Sequence, residues 1–494
     1  MPTRRLLAIG LAIAALVAIA WGVVRWRQRA APAGAIPGPL RASWELDLER
    51  GDVVDAADGL ARAVRRHPDD LALAGRDVAL AIVADRGRAA ARADALATRP
   101  ELPALTRAAV AAAVAARRGQ PVEAAAALAA PAAAVTPASI DELLLRFARA
   151  ALLAEGDRAD EARGEQAAIL ARWPAFAPAA LALVDAQIER DQLDEARRVV
   201  DRFVTAAPDG PAVDRAEIEL AIGERRYREA VDRLDRLAAT GRGRDADASH
   251  LRGDLRLVLG DVDGALSAYD AIEDDGLRDE RAAGALASAG RVAAARARLV
   301  SAMARPPAPG EPSHLDLLVV SAALLALESA DAELAARAGA AIAASPDLPP
   351  PLAAARDFAL GAAAALGGTA AAGAAVDAPL AVVLATRGRA GADALELLRR
   401  ATAPAAIRST ALARRAYPAL WLERARAAAD AGQLDEALDA VDRVVQPRRI
   451  EPTRGPVLGR ALALRADLLD RLHRGDEAAA TRAQLEQLRA RPAE

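Results

Sequence analysis

The side chains that could perform acid–base or metal chemistry are few and widely separated in this sequence. Its 494 residues include no Cys and no Lys, which removes thiolate nucleophiles, cysteine metal sites and the phosphate-binding lysine of a Walker loop. Neighbouring histidines are at least 64 residues apart, and the zinc-binding pattern H-E-x-x-H is absent. We interpret these histidines as helix-surface or turn residues: His67, His250, His314 and His473. The sequence therefore predicts no metal site and no cofactor.

Carboxylates are numerous, but they are spaced for pairing with Arg along helices. Asp194 and Glu195, for example, are followed by Arg197 and Arg198, a pattern typical of solvated helix faces. One Glu-Ser pair, 328–329, is of the type found in peptidoglycan-cleaving transglycosylases, which hold a catalytic Glu among superhelical helix pairs. The glycine-rich catalytic segment that should follow it is missing. We therefore predict a capped turn between two helices at this pair, and a protein that is not an enzyme.

Composition predicts an all-α protein. Apolar residues make up 53% of the chain but aromatic residues only 2%, and Ala is the dominant apolar residue. Ala mixed with Leu, Val, Arg and Glu favours long, closely packed helices, whereas strands need the β-branched and aromatic runs that are scarce here. The net charge of −3 provides no basic field of the kind that attracts nucleic acid.

The N-terminal segment has the length and composition of a membrane-spanning helix. Residues 6–24 carry no charge, and this run approaches the ~20 residues that cross a bilayer. It is long for a cleaved signal peptide, which is the alternative interpretation. We predict a single-pass signal anchor over 1–29 in a bacterial inner (cytoplasmic) membrane, then a Pro/Gly/Ala linker over 30–40. The flanking Arg residues are nearly balanced, and the short charged tail favours a periplasmic position for the rest of the chain.

A small residue inside a helical segment recurs along the chain. Two runs of three such residues, 56–124 and 162–230, are each spaced by 34, the period of the tetratricopeptide helix-turn-helix unit. The recurring positions are Ala56, Ala90, Ala124, Ala162, Ala196, Ala230, Ala265, Ala295, Ala437 and Ala478. A small side chain lets the partner helix approach closely, and the larger side chains around it fill the space between neighbours.

The sequence resembles the tetratricopeptide repeat family. The resemblance rests on small and large residues one helical turn apart, Ala56/Leu60, Ala196/Val200, Ala230/Leu234, Ala265/Tyr269 and Ala437/Val441, and on helix-ending prolines, Pro68, Pro174, Pro208 and Pro307. It implies a right-handed α-solenoid of about ten to twelve helix pairs behind the transmembrane helix. We divide the solenoid into one array over 41–305 and a second, more degenerate array over 313–490, because the Pro-rich stretch 305–312 interrupts the pattern.

In tetratricopeptide arrays the first helix of each pair lines a concave groove that holds peptides, and the resemblance implies such a groove here. The eight predicted groove residues are Arg41, Glu45, Leu181, Asp185, Arg215, Glu219, His250 and Asp254. The second member of each successive pair is acidic, which favours a basic partner segment. Pairing of Arg with an acid four residues along the same helix explains the same residues and is the alternative. The family's carboxylate clamp requires Lys and Asn, which this sequence lacks.

These observations predict a non-catalytic, membrane-tethered scaffold or adaptor that binds other proteins in a bacterial cell-envelope assembly, secretion or export complex. The alternative is a helper subunit of a cell-wall or polysaccharide-processing enzyme, with glycan rather than peptide in the groove. Glycan binding would require aromatic platforms, and the aromatic residues of this chain are scattered. The sequence identifies neither the partner nor the oligomeric state.

Overall fold

The computed structural model describes most of the chain between Ser43 and Arg489. The described ranges are 43–99, 101–208, 210–240, 246–305, 314–342, 348–367, 379–386, 392–403, 411–446 and 455–489. These ranges contain 25 α-helices and no β-strand, which confirms the all-α prediction. The predicted anchor, the predicted linker and Arg41 lie outside the described residues, as does the segment 306–313.

The chain divides into two compact units between Leu220 and Ala221, inside helix α11 (Pro211–Gly223). The complete helices of unit 1 are α1 (Ser43–Arg50), α2 (Val53–Arg66), α3 (Leu71–Ala84), α4 (Arg86–Ala97), α5 (Ala104–Arg117), α6 (Pro121–Ala134), α7 (Ile140–Glu155), α8 (Ala159–Arg172), α9 (Ala177–Glu189) and α10 (Leu193–Ala206). Successive helices pack as pairs, from α1 with α2 to α9 with α10.

Unit 2 continues the same arrangement with fourteen complete helices in the described ranges. They are α12 (Tyr227–Ala239), α13 (Ala246–Val258), α14 (Val262–Tyr269), α15 (Asp275–Ser288), α16 (Val292–Met303), α17 (Leu315–Ser329), α18 (Ala332–Ala341), α19 (Pro350–Leu366), α20 (Pro379–Thr386), α21 (Ala392–Ala401), α22 (Ala411–Asp430), α23 (Leu434–Val445), α24 (Gly455–Arg471) and α25 (Gly475–Arg489). One apolar cluster extends from Leu257 to Leu488 and forms the core of this unit.

The small residues predicted from the 34-residue spacing are confirmed as close-contact positions. All ten lie in the second helix of a pair and are buried, with exposed fractions of 8% or less. The large residues one turn later are buried as well, among them Leu60, Val200 and Tyr269. Ala335 in α18 is an eleventh small position, which the blurred pattern of this region concealed. The predicted repeat register is therefore correct over most of the described chain.

A left-handed residue stands in the turn inside ten of the pairs, five positions before the small Ala. In five turns it is glycine, where positive φ carries no Cβ penalty: Gly51, Gly119, Gly260, Gly290 and Gly432. In the other five it is Asp157, Asp191, Arg225, Ala330 or His473, with φ between 56° and 63°. The turn thus has one backbone conformation in every one of these pairs, although its residue type varies. The connection from α3 to α4 is different, because Asp85 there is extended.

The structure corrects the predicted localisation. Among the described residues, no helix is both long enough and apolar enough to cross a membrane. The 20-residue α22, for example, carries Glu423, Arg424 and Arg426, and charges of this kind are costly in a lipid bilayer. This finding contradicts a single-pass position in a bacterial inner membrane, and we withdraw that prediction. The segment 6–24, on which it was based, lies outside the described residues.

The predicted division into arrays over 41–305 and 313–490 stays a prediction. The helices on the two sides of the Pro-rich stretch, α16 and α17, pack against each other and contribute to the same apolar cluster. The Glu-Ser pair 328–329 ends α17, and Asp331 caps α18 by accepting a hydrogen bond from the Leu334 N–H at 2.9 Å. A capped turn was the prediction for this pair, and it is confirmed.

Candidate partner-binding site

The predicted groove residues of unit 1 lie on three first helices. α1 packs against α9, so Glu45 and Asp185 are on adjoining helices. Both side chains are half-buried and both already make polar or electrostatic interactions. Leu181 packs against the apolar cluster formed by α9 and its neighbours. Two of the predicted acids of unit 1 are therefore on helices that pack against each other.

The pair Arg215 and Glu219 shows the pattern given above as the alternative. Arg215 Nε donates to Glu219 Oε1 at 2.8 Å along the same helix, and the Arg side chain is 69% exposed. A pair of this kind contributes only ~0.2–0.5 kcal/mol to helix stability. In this pair, the acid is partly neutralised by its own helix.

In unit 2, Asp254 belongs to a buried polar cluster that we call the Arg281 network. The cluster consists of Asp254, Tyr269, Glu280, Arg281 and Ser321. Tyr269 Oη donates to Asp254 Oδ1 at 2.6 Å, and Ser321 Oγ donates to Glu280 Oε1 at 2.6 Å. The Arg281 guanidinium lies between the two acids, 3.3 Å from Glu280 Oε2 and 3.8 Å from Asp254 Oδ2. The network joins α13, α14, α15 and α17.

The residues of this network have a structural role. Burial, together with the neighbouring Asp254 charge, raises the pKa of Tyr269 well above its usual value, so the phenol stays protonated and acts as a hydrogen-bond donor. Its ring lies against Gly253, where any Cβ would overlap the ring carbons. Asp254 is only 14% exposed. It already has Tyr269 and Arg281 as partners, and removing a partner from a buried charge is costly.

The first helices of unit 2 also contact the C-terminal helix pair. α24 packs against α15 and α17, so helices from distant parts of the sequence meet. The approach is close, because a Cβ on Gly459 would lie 2.8 Å from the carbonyl oxygen of Ser288. Gln484 Nε2 donates to the carbonyl of Val258 at 2.6 Å, and Arg460 forms an ion pair with Glu328. In unit 2, part of the surface of α15 and α17 is therefore covered by the chain itself.

Unit 1 has a similar internal contact between first helices. α3 packs against both α5 and α7, and Arg76 Nε donates to Asp141 Oδ1 at 2.6 Å. Gly75 allows this approach, because Thr106 occupies the space that a Cβ would need, and the Thr106 hydroxyl donates to the carbonyl of Leu71 at 2.7 Å. These glycines in the middle of Ala-rich helices were the available sequence signal for the close contacts, and periodicity alone does not distinguish them from tolerated substitutions.

The titratable groups outside this network include the histidines that the sequence analysis considered. Within the described ranges, no group of three His, Asp or Glu residues has the geometry of a metal site. His314 Nε2 lies 2.8 Å from Asp274 Oδ2, and His473 occupies a left-handed turn. These surroundings agree with the turn and surface roles that the sequence indicated.

Comparison with known proteins identifies no family for this chain. No known protein family and no curated protein matches the sequence. Among solved structures, one titled "Crystal structure of APC/C hetero-tetramer Cut9-Hcn1" has a TM-score of 0.35 and 13% identity, over 90% of this chain and 85% of that chain. Another, "Structure of Naa15/Naa10 bound to HypK-THB", has a TM-score of 0.26 and 14% identity, over 90% and 67%. TM-scores this low do not support an argument from these structures, so the fold is described from the helix pairs of this chain alone.

Proposed function

We propose that this chain is a non-catalytic scaffold of tetratricopeptide-like helix pairs that binds protein partners, and that one partner contributes a basic segment. The predicted groove residues belong to this proposal: Leu181, Arg215 and Glu219 with Glu45 and Asp185 in unit 1, Arg41 outside the described residues, and His250 and Asp254 in unit 2. We assign the principal contact to Glu45 and Asp185, which we call the α1–α9 acidic face. Membrane tethering is not part of the proposal.

The observation that carries the proposal is the packing of α1 against α9. It places two half-buried carboxylates from the first and fifth pairs on adjoining helices. Each carboxylate has about four acceptor positions, so it can accept a donor from a partner while keeping an internal interaction. Because the carboxylates are partly removed from water, a partner's guanidinium or ammonium group interacts with them more strongly than with a fully solvated acid.

The glycan-binding alternative lacks its main requirement. Among the aromatic residues whose side chains the structure describes, none is exposed: all are buried except Phe147, which is half-buried. Its ring packs edge-on against that of Phe176, with centroids 5.3 Å apart. Sugar rings stack on exposed aromatic faces, and the described surface provides none. A protein segment is therefore the better match.

The proposal is tested by reversing the charge of the α1–α9 acidic face in the full chain. The probe is a fluorescein-labelled 12-residue peptide of alternating Arg and Ala, and its binding is measured by fluorescence anisotropy at low salt. We expect the double variant Glu45→Arg/Asp185→Arg to weaken binding about tenfold, because two favourable charge contacts become repulsive. The effect should shrink at higher ionic strength, where screening acts over ~10 Å.

The matched control is Asp194→Arg/Glu195→Arg on α10, which makes the same change in net charge on a second helix. It should alter binding by less than about twofold. Equal weakening by both variants, or no binding of the peptide to the wild-type chain, would show that the face does not recognise a basic segment. Circular dichroism should be unchanged in both variants.

A further inference from the structure

We propose that the exposed faces of α2 and α4 form a second interaction surface, which binds an acidic protein segment. The α2–α4 basic surface consists of Arg62, Arg65 and Arg66 on α2 together with Arg88 and Arg92 on α4. It uses other helices and the opposite charge from the α1–α9 acidic face. It therefore stands or falls independently of the function proposed above.

Three of these arginines have no partner inside the described part of the chain. Arg62, Arg65 and Arg66 are exposed and make no ion pair or hydrogen bond there. This is uncommon in the molecule, because many of its Arg side chains contact an acid on the same or a neighbouring helix. The three guanidinium groups therefore retain all of their hydrogen-bond donors for a ligand.

One ion pair joins the two helices of the surface. Arg88 Nη1 donates to Asp58 Oδ1 at 2.6 Å, which links α4 to α2. Arg92 pairs with Asp77, whose side chain is only 2% exposed. The first contact links α4 to α2, and the second links α4 to α3.

The charged groups of α2 and α4 influence one another. Burial and the positive charge of Arg65 lower the pKa of Arg92. The hydrogen bond from Arg88 and the charge of Arg88 lower the pKa of Asp58, and the charges of Arg62 and Arg65 lower it further. Several arginines therefore act on the carboxylate of Asp58, and only Arg88 donates a hydrogen bond to it.

Counted within the helices, Arg residues outnumber acidic residues in only these two second helices of unit 1. α2 has three Arg against two Asp, and α4 has three Arg against one Asp. By contrast, α6 has a single Glu, α8 has three acids against two Arg, and α10 has three of each. A general Arg-rich composition would distribute the charge evenly, so its position at one end of the unit indicates a local role.

The chemistry of the surface favours a carboxylate-rich peptide over a nucleic acid. Guanidinium groups bind carboxylates in bidentate geometry. The stretch 53–97 contains no aromatic residue on which a base could stack. Two exposed small residues, Ala91 and Ala95, leave room on α4 for a segment to lie against the helix.

The test uses the full chain and a fluorescein-labelled 12-residue peptide of alternating Glu and Ala, with a labelled oligothymidine of similar length as a second probe. We expect the peptide to bind at 50 mM salt and to bind less at 200 mM salt. Arg62→Glu/Arg65→Glu should weaken its binding about tenfold. Neither residue has a partner to lose, so the melting temperature should not change.

The control is Arg198→Glu/Arg202→Glu on α10, in which Arg202 has the same position relative to Ala196 that Arg62 has relative to Ala56. It changes the net charge equally and should alter binding by less than twofold. Equal weakening by the two variants, tighter binding of oligothymidine than of the peptide, or no binding of the peptide would each overturn the proposal. The peptide should also be unaffected by Glu45→Arg/Asp185→Arg, which separates this surface from the acidic face.

Discussion

In unit 1 the buried carboxylate Glu142 is paired with arginines that still reach solvent, whereas in the Arg281 network of unit 2 the arginine is buried as well. Glu142 is 2% exposed, and it accepts from Arg146 and Arg172, which are 20% and 40% exposed. In the Arg281 network, Glu280 and Arg281 are 2% and 4% exposed. An arginine at the surface keeps most of its hydration, but a buried one depends entirely on its protein partners. Unit 2 is therefore the unit in which losing one partner should cost most.

The two units also differ in the sequence distance of their internal contacts. Among the helix pairs that pack closely in unit 1, α1 and α9 are the farthest apart in the sequence. In unit 2, α24 packs against α15, about 170 residues earlier in the chain. Open helical arrays gain stability mainly from neighbouring repeats, so damage in them stays local. Because α1 contacts α9 in unit 1 and the terminal pair of unit 2 contacts its earlier helices, each unit should behave as one cooperative structure.

The largest expected effect tests whether the burial of the arginine distinguishes the two units. Arg281→Met leaves Asp254 and Glu280 buried without their cation, which should lower the free energy of unfolding by ~3–5 kcal/mol. Arg172→Met in unit 1 should cost less than ~1 kcal/mol, because Glu142 keeps Arg146 and the Ala138 N–H as donors. Denaturant unfolding gives the magnitudes, and hydrogen exchange shows which unit opens. Similar losses for both variants would mean that burial of the arginine does not distinguish the units.

Much of the fold could be predicted from the sequence because the repeats follow local rules. The helix pairs, the small Ala positions and the prolines after α2, α8 and α10 depend on residues within about one repeat of each other. The left-handed position of the turn is glycine in some pairs and Asp, Arg, Ala or His in others, so its residue type alone does not predict its conformation. The buried small Ala five residues later identifies the turn.

The site was less predictable, because its partners come from other repeats. Asp254 has the same helical position as Glu219, yet Tyr269 and Arg281 bury the first, whereas Arg215 pairs with the second. Counting along one helix cannot distinguish these cases, since the deciding residues are on neighbouring helices. The contact of α24 with α15 is equally invisible to a periodic pattern, which specifies neighbours but not where the chain returns.

A smaller effect concerns the pH dependence of unit 2. The hydrogen bond from Arg399 and a second one from Arg424 lower the pKa of Glu436 from 4.5 to about 2, although its partial burial opposes this. A carboxylate with a lowered folded-state pKa adds stability above its unfolded value, and that stability is lost as the pH falls from about 4.5 toward 2. We expect a loss of about 1–3 kcal/mol over this range. Glu436→Gln should remove this part of the pH dependence in acid-denaturation curves.

The comparison is sharpened by Glu142 in unit 1, whose pKa is also lowered. Burial acts in the opposite direction there, but hydrogen bonds from Arg146, the Ala138 N–H and Arg172 together outweigh it. Glu142→Gln should therefore reduce the pH dependence of unit 1 while hydrogen exchange in unit 2 stays as in the wild type. If each Gln variant flattened the acid transition of both units, the carboxylates would be acting on a shared unfolding step.

The smallest effect comes from the left-handed turns. Ala330 in unit 2 has φ 56°, and its Cβ makes this conformation unfavourable. Ala330→Gly removes that penalty but makes the unfolded chain more flexible, so the net gain should be ~0.5–1 kcal/mol in the free energy of unfolding. Asp191 in unit 1 has φ 63°, and Asp tolerates this region better than Ala, so Asp191→Gly should give a smaller gain.

The reverse change, Gly119→Ala, introduces a Cβ into open space at φ 72° and should cost ~1 kcal/mol through the backbone alone. Thermal denaturation of the three variants measures this order. A larger gain for Asp191→Gly than for Ala330→Gly would show that the side chain of Asp191 does not favour its turn, and that the two units set the turn conformation by different means.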